Sequence, residues 1–137
     1  MYAKLYNLPP YKPNNLNLRL LRIIVNKEFT RIDFGYQATN YYIHGGWANI
    51  YPETFLRIKD SGVKLNMQRA VNIPQKPEKH DFESTVDNLH FSLFFPPLPD
   101  RTLTFDLIES EPVTPTIFNY YDVKIDQAKA ILLQEKF

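Results

Sequence analysis

The chain contains no cysteine. That excludes disulfides, thiolate nucleophiles, iron–sulfur clusters and cysteine zinc sites. Glycine is scarce, with four residues against eleven prolines. Glycine-rich phosphate loops are therefore not expected, and stiff corners between extended segments are. Charge of one sign is also lacking. The net charge is +1, so no overall field draws the chain toward nucleic acid or an anionic membrane. No run approaches the ~18 apolar residues of a membrane helix, and the opening MYAKLYNLPPYKPNN has no apolar signal region. Membrane insertion is not expected. The chain reads as soluble and cytoplasmic as written, unless an export signal has been removed.

What is present suffices for one domain. The 137 residues are 44% hydrophobic and 15% aromatic, enough for one sandwich-sized core and too apolar for a disordered chain. The charge is unevenly placed. Residues 1–70 hold ten Lys and Arg against four Asp and Glu, and residues 71–137 hold six against eleven. Either strands of the two halves interleave and neutralise one another, the reading preferred here, or copies meet head to tail.

Residues 1–15 read as an extended arm, rich in Tyr, Asn and Pro, with Tyr2, Tyr6 and Tyr11 available to bury in cis or in trans. Residues 16–125 read as the folded domain. Leu16 to Val25 leaves helix or strand open by period, and its β-branched end favours strand. Phe29 to Tyr36 alternates, with Ile32, Phe34 and Tyr36 on one face. Short strands are expected around Tyr41–Ile43 and Trp47–Tyr51, joined through His44-Gly45-Gly46. A hairpin follows over Thr54–Lys59 and Val63–Met67, and then a long connection, Ala70 to Asp81, suited to crossing between sheets. Leu89, Phe91, Leu93 and Phe95 form the next inward set. Pro96-Pro97-Leu98-Pro99 must end that ladder, and Leu103, Phe105 and Leu107 resume it. Ile117 to Ile125 is the last strand, with Ile117, Tyr121, Val123 and Ile125 on one parity. Residues 126–137 read as a short C-terminal helix capped by Asp126, with Ala128, Ile131 and Leu132 as its apolar face. The fold class is thus an all-β antiparallel sandwich of about seven to nine strands, with a closed barrel as the competitor.

Several phrases carry a family resemblance. They are FTRIDFGYQA at 29–38, ETFLRIKDSGVKL at 53–65, AVNIPQKPEKHDF at 70–82, LHFSLFFPPLPDRTLTFDLIE at 89–109 and FNYYDVKI at 118–125. Together they resemble the immunoglobulin-like β-sandwich domains common in Bacteroidetes proteins of unassigned function. The resemblance covers roughly residues 17–125. It implies an immunoglobulin-like fold and the role of an accessory or interaction module, and it transfers no catalytic residue.

The residues themselves offer little chemistry. His44, His80 and His90 are far apart and lack the i, i+4 spacing of helical ligands. Nucleophile elbows, phosphate loops and H-E-x-x-H are absent. Glu109 and Glu111 form a spaced carboxylate pair but read as solvent-facing residues at a strand end. The stronger signal is aromatic. Tyr36, Tyr41, Tyr42, Trp47, Tyr51 and Phe55 fall close together, and an exposed platform of such rings stacks on sugars or anchors a protein partner. Phe94, Phe118 and Tyr120 fall on outward parities, which suggests an interface.

The expectation is a non-enzymatic interaction or structural module with no catalytic residue, cofactor or metal. It would dock on another protein or on copies of itself, with no nucleic acid as partner. Candidate contacts are Tyr2, Tyr6 and Tyr11 of the arm, Tyr42, Trp47 and Tyr51 of the aromatic region, and outward Phe94 and Tyr120, with edge-strand pairing as a further route. The alternative is a module that binds carbohydrate or another ligand through the region around Trp47.

Overall fold

A computed structural model of the chain describes residues 2–13, 17–38, 44–111 and 117–134. Thirteen strands run in the order β1 (Tyr2–Asn7), β2 (Lys12–Pro13), β3 (Leu18–Val25), β4 (Thr30–Gln37), β5 (Trp47–Ala48), β6 (Phe55–Ile58), β7 (Lys64–Asn66), β8 (Arg69–Val71), β9 (His80–Asp81), β10 (Asn88–Phe95), β11 (Thr104–Ile108), β12 (Tyr120–Lys124) and β13 (Ile131–Gln134). They form a six-stranded sheet, β13-β1-β3-β4-β10-β8, and a five-stranded sheet, β2-β12-β11-β6-β7; β5 and β9 pair separately. Pairing within the sheets is antiparallel.

The two large sheets face each other across one core, as the all-β sandwich requires. Leu18, Leu20, Ile23, Ile32, Phe34 and Leu93 from the first meet Leu56, Phe105, Leu107, Tyr120 and Val123 from the second. The rings of Phe34 and Tyr120 lie 5.8 Å apart across the layer. Strict alternation accounts for β4 and β10, whose inward sets pair in register: Phe34 with Phe91, Ile32 with Leu93.

Two bulges break that alternation. In β3 the register shifts between Leu20 and Arg22, so Leu20 and Ile23 both point inward with Leu21 as the extra residue. The helix-like spacing in LRLLRIIV is therefore the trace of a bulge. In β12 two residues, Tyr121 and Asp122, oppose Asp106 alone, and Asp122 takes φ 53. Tyr120 and Val123 consequently share the core face. This corrects the single parity expected for the last strand: Phe118 and Tyr120 are buried rather than outward.

The bulge in β12 is held by Asp106. Its Oδ1 accepts the Asp122 N–H at 2.9 Å, and its Oδ2 faces Lys59 Nζ at 3.2 Å and Arg57 Nη2 at 3.4 Å. Lys59 also reaches Asp122, as does Lys12, and Arg57 reaches Glu111. Basic residues of the first half thus meet acidic residues of the second within one sheet.

The first segment, read as an extended arm able to bury in cis or in trans, lies in cis in this arrangement: β1 pairs with β3 and β13, and β2 pairs with β12. The C-terminal helix is replaced by a single 3-10 turn, Gln127–Lys129, followed by strand β13. Asp126 does cap the turn, accepting the Ala128 N–H at 3.0 Å. So short a helix is marginal alone, whereas the edge of β1 offers a ladder. The side chain of Gln127 accepts from Tyr6 Oη at 2.9 Å, which ties the turn to β1.

The crossing between sheets occurs earlier than expected. β7 closes one sheet, and the Gln68 N–H already bonds Phe94 O, ahead of β8 in the other. The long connection after β8 instead folds against residues 47–51 through the β5–β9 pair and the Ile50–Gln75 bridge.

Candidate functional site

The residues singled out in the sequence do not gather into one surface. Tyr6 and Tyr120 are buried, and the Tyr120 hydroxyl donates to Leu18 O at 2.8 Å. Tyr11 is half-buried, edge-on to Tyr120 at 5.0 Å, and its hydroxyl accepts the Leu20 N–H at 3.3 Å. Tyr2 belongs to β1 by its backbone. Tyr42, like the strand expected at Tyr41–Ile43, lies outside the described residues. Phe94 stands half-buried on the outer face of β10, edge-on to Phe29 at 5.2 Å, with the Arg69 guanidinium 4.2 Å over its ring. Beside it Arg31 and Arg22 pair with Asp33. Burial pushes the Asp33 carboxyl up, but hydrogen bonds from Arg31 and Ser92 and the nearby guanidinium charges outweigh it and hold the pKa below its ordinary value.

Trp47 and Tyr51 differ from the rest. Trp47 on β5 is 43% exposed, with Lys79 Nζ 5.8 Å from its ring centre. Gly45 sits two residues before it with φ 88, and a Cβ there would lie 2.4 Å from Ser84 O, so the turn requires glycine. Tyr36, by contrast, is a core residue stacked on Phe82 at 5.3 Å. Among the three histidines, His80 packs edge-on against Phe82, and no cluster suited to a metal ion occurs among the described residues.

Tyr51 opens onto a cleft of about 740 Å³ with Phe55, Lys64, Lys76, Glu109 and Glu111 among its walls. Lys76 Nζ lies 4.4 Å over the Tyr51 ring and donates to its hydroxyl at 3.3 Å, while Lys64 caps Phe55 at 4.0 Å. The outstanding group is Glu109. Its sequence position at the end of β11 suggested a solvated carboxylate, yet it is only 3% exposed. Oε1 accepts the Phe118 N–H at 2.9 Å and Oε2 the Tyr51 N–H at 3.2 Å. Burial raises its pKa to about 7, against the lowering pull of those two N–H groups and of Lys76.

A carboxyl of that kind holds both protonation states near neutrality, the property of a general acid or base. Its described hydrogen bonds, however, all go to backbone N–H groups. Asn119 makes a second fastening beside it, accepting the Glu109 N–H at 2.7 Å and donating to Ser110 O at 2.9 Å. The geometry is that of a pin between the segment after β5 and the start of β12. Nothing in the local pattern around Glu109 announced this, because the covering segment is Tyr51, far away in sequence.

A further exposed apolar feature is β13. It pairs with β1 on one side only and forms the edge of the larger sheet. Ile131 is 50% exposed and Leu132 65%. No helix among the described residues is long and apolar enough to cross a membrane. Neither a protein-family model, nor a curated protein, nor a solved structure matches this chain.

Proposed function

We propose that this chain is a non-catalytic, immunoglobulin-like interaction domain that associates with a second copy of itself by pairing β13 with β13. The strand order supports the immunoglobulin-like part. With β3, β4, β6, β7, β8, β10, β11 and β12 lettered A, B, C, C′, D, E, F and G, the sheets read A-B-E-D and G-F-C-C′. β1 and β13 extend the first sheet beyond strand A.

The observation that carries the self-association is the edge. Natural sheets blunt free edges with charge, proline or bulges, and β13, ILLQ, has none of these. An antiparallel pair of like strands satisfies both edges by one two-fold operation. Ile131 and Leu5 share the outer face with Ile24, so pairing would extend an apolar strip already present. A net charge of +1 opposes association only weakly. The experiment is multi-angle light scattering over a wide concentration range. A strict monomer at high concentration overturns this reading.

A second reading is favoured by one observation, the exposure of the Trp47 ring. In that reading the chain binds carbohydrate by stacking on Trp47. Trp47 is the sole tryptophan, so its emission reports directly on the site. An unchanged spectrum across a glycan panel counts against it.

A further inference from the structure

Just past the end of β12, the two sheets part around a mouth of about 630 Å³. That volume falls in the range of small-molecule sites, roughly 300–1,000 Å³. Tyr6 and Val25 come from the larger sheet, Ile125 follows the last strand of the smaller one, and the proline corner supplies Pro97, Leu98 and Pro99. The corner is rigidly placed. Leu98 N–H donates to Thr30 Oγ1 at 2.8 Å inside the core, and Thr102 bonds Pro99 O through both its N–H and its hydroxyl. The wall is therefore built before any ligand arrives.

The rim has the opposite character. Lys4, Lys27 and Arg101 line it, with Asp100 the one carboxylate among the lining residues. None of the three cations forms an ion pair within the described residues, whereas Arg22, Arg31, Arg57 and Lys59 do. The Glu109 cleft differs in this respect, since its two lysines share the wall with Glu53, Glu109 and Glu111. Lys4 is partly oriented by the Gln127 side chain, which also accepts from Tyr6 at the mouth. An apolar floor under a cationic rim matches a ligand with an apolar body and one negative end.

We propose that this mouth binds a small amphipathic monocarboxylate, its apolar part over Val25, Leu98 and Ile125 and its carboxylate among Lys4, Lys27 and Arg101. The proposal does not rest on the β13 pairing, since the lining residues named here all belong to one copy of the chain.

The test uses the full chain and octanoate, with octanol and acetate as controls for tail and head. Octanoate should bind saturably at one per chain by calorimetry, with backbone amide shifts confined to Val25–Lys27 and Leu98–Thr102. Affinity should fall at least about tenfold in the double variant Lys27→Glu, Arg101→Glu, and should weaken as salt rises. Both substituted side chains are on the surface, so an unchanged melting temperature certifies the fold of the variant. Acetate and octanol should each bind more weakly than octanoate. Absence of saturable binding, equal affinity in the charge-reversed variant, octanol binding as tightly as octanoate, or shifts that map to the Glu109 cleft would each overturn the proposal.

Discussion

Tyr120 and Leu18 are joined by a hydrogen bond of 2.8 Å from the phenol to the backbone carbonyl, across the core and between the two sheets. The hydroxyl is buried, and burial, with Tyr11 and Glu109 nearby, raises its pKa well above the ordinary value. It therefore stays protonated, and remains a donor, beyond the pH at which an exposed tyrosine ionises. A residue that parity assigned to an outer surface is thus a cross-layer tie.

Tyr120→Phe keeps the ring and removes the donor, leaving Leu18 O buried without this partner. The expected loss is about 1–3 kcal/mol, read as a lower urea midpoint with an unchanged slope. Oligomeric state should not change. A variant as stable as the parent, or one altered only in association, would contradict the assignment of Tyr120 to the core.

How much was legible in the sequence follows from which contacts are local. β4 and β10 alternate without interruption, so their inward faces could be read residue by residue. β3 and β12 each contain a bulge, and one inserted residue inverts every parity beyond it. β13 looked helical because Ala128, Ile131 and Leu132 do lie on one helical face. Its actual partner is β1, at the far end of the chain, and no local pattern reports that pairing. Glu109 escaped for the same reason, since its burial comes from Tyr51 and Phe118 closing over it.

Asp106 is the residue on which the β12 bulge depends. Asp106→Ala should remove the acceptor for the Asp122 N–H and free Lys59 and Arg57 from their shared carboxylate. Both cations are partly exposed, so most of the cost lies in the backbone donor, about 1–3 kcal/mol. Hydrogen exchange at the Asp122 amide should accelerate more than at Phe91, in the opposite sheet. Uniform acceleration at both would show a merely global effect.

Glu109 predicts a pH dependence of defined sign. Its carboxyl moves from an ordinary 4.5 to about 7 on folding. Below 4.5 both states are protonated, and between 4.5 and 7 the folded state holds the extra proton. Stability from this group is therefore present at low pH and lost as pH rises to 7, by about 3 kcal/mol in all. Glu109→Gln should abolish that component, since an amide does not titrate. Its NH₂ must also face one of the two N–H donors, so the variant is less stable than the parent at pH 4.5, and the gap should narrow or reverse above pH 7.5. Denaturant titrations across this range decide it. Equal slopes for parent and variant would reject the raised value.

At the edge of the larger sheet, Leu132→Lys places a charge where a second β13 would pack. Leu132 is 65% exposed and belongs to no part of the core, so the folded monomer should lose little, within about 0.5 kcal/mol. A paired edge, by contrast, would bring two lysines together near the two-fold, where like charges repel and their desolvation is costly. Dimers should give way to monomers at concentrations that fully pair the parent, with the melting temperature falling only by the contribution of association. Ile131→Lys, on the opposite face of the same strand, should act in the same direction. If both variants remain dimeric, the interface lies elsewhere than β13, and the exposed Ile131 and Leu132 require another explanation.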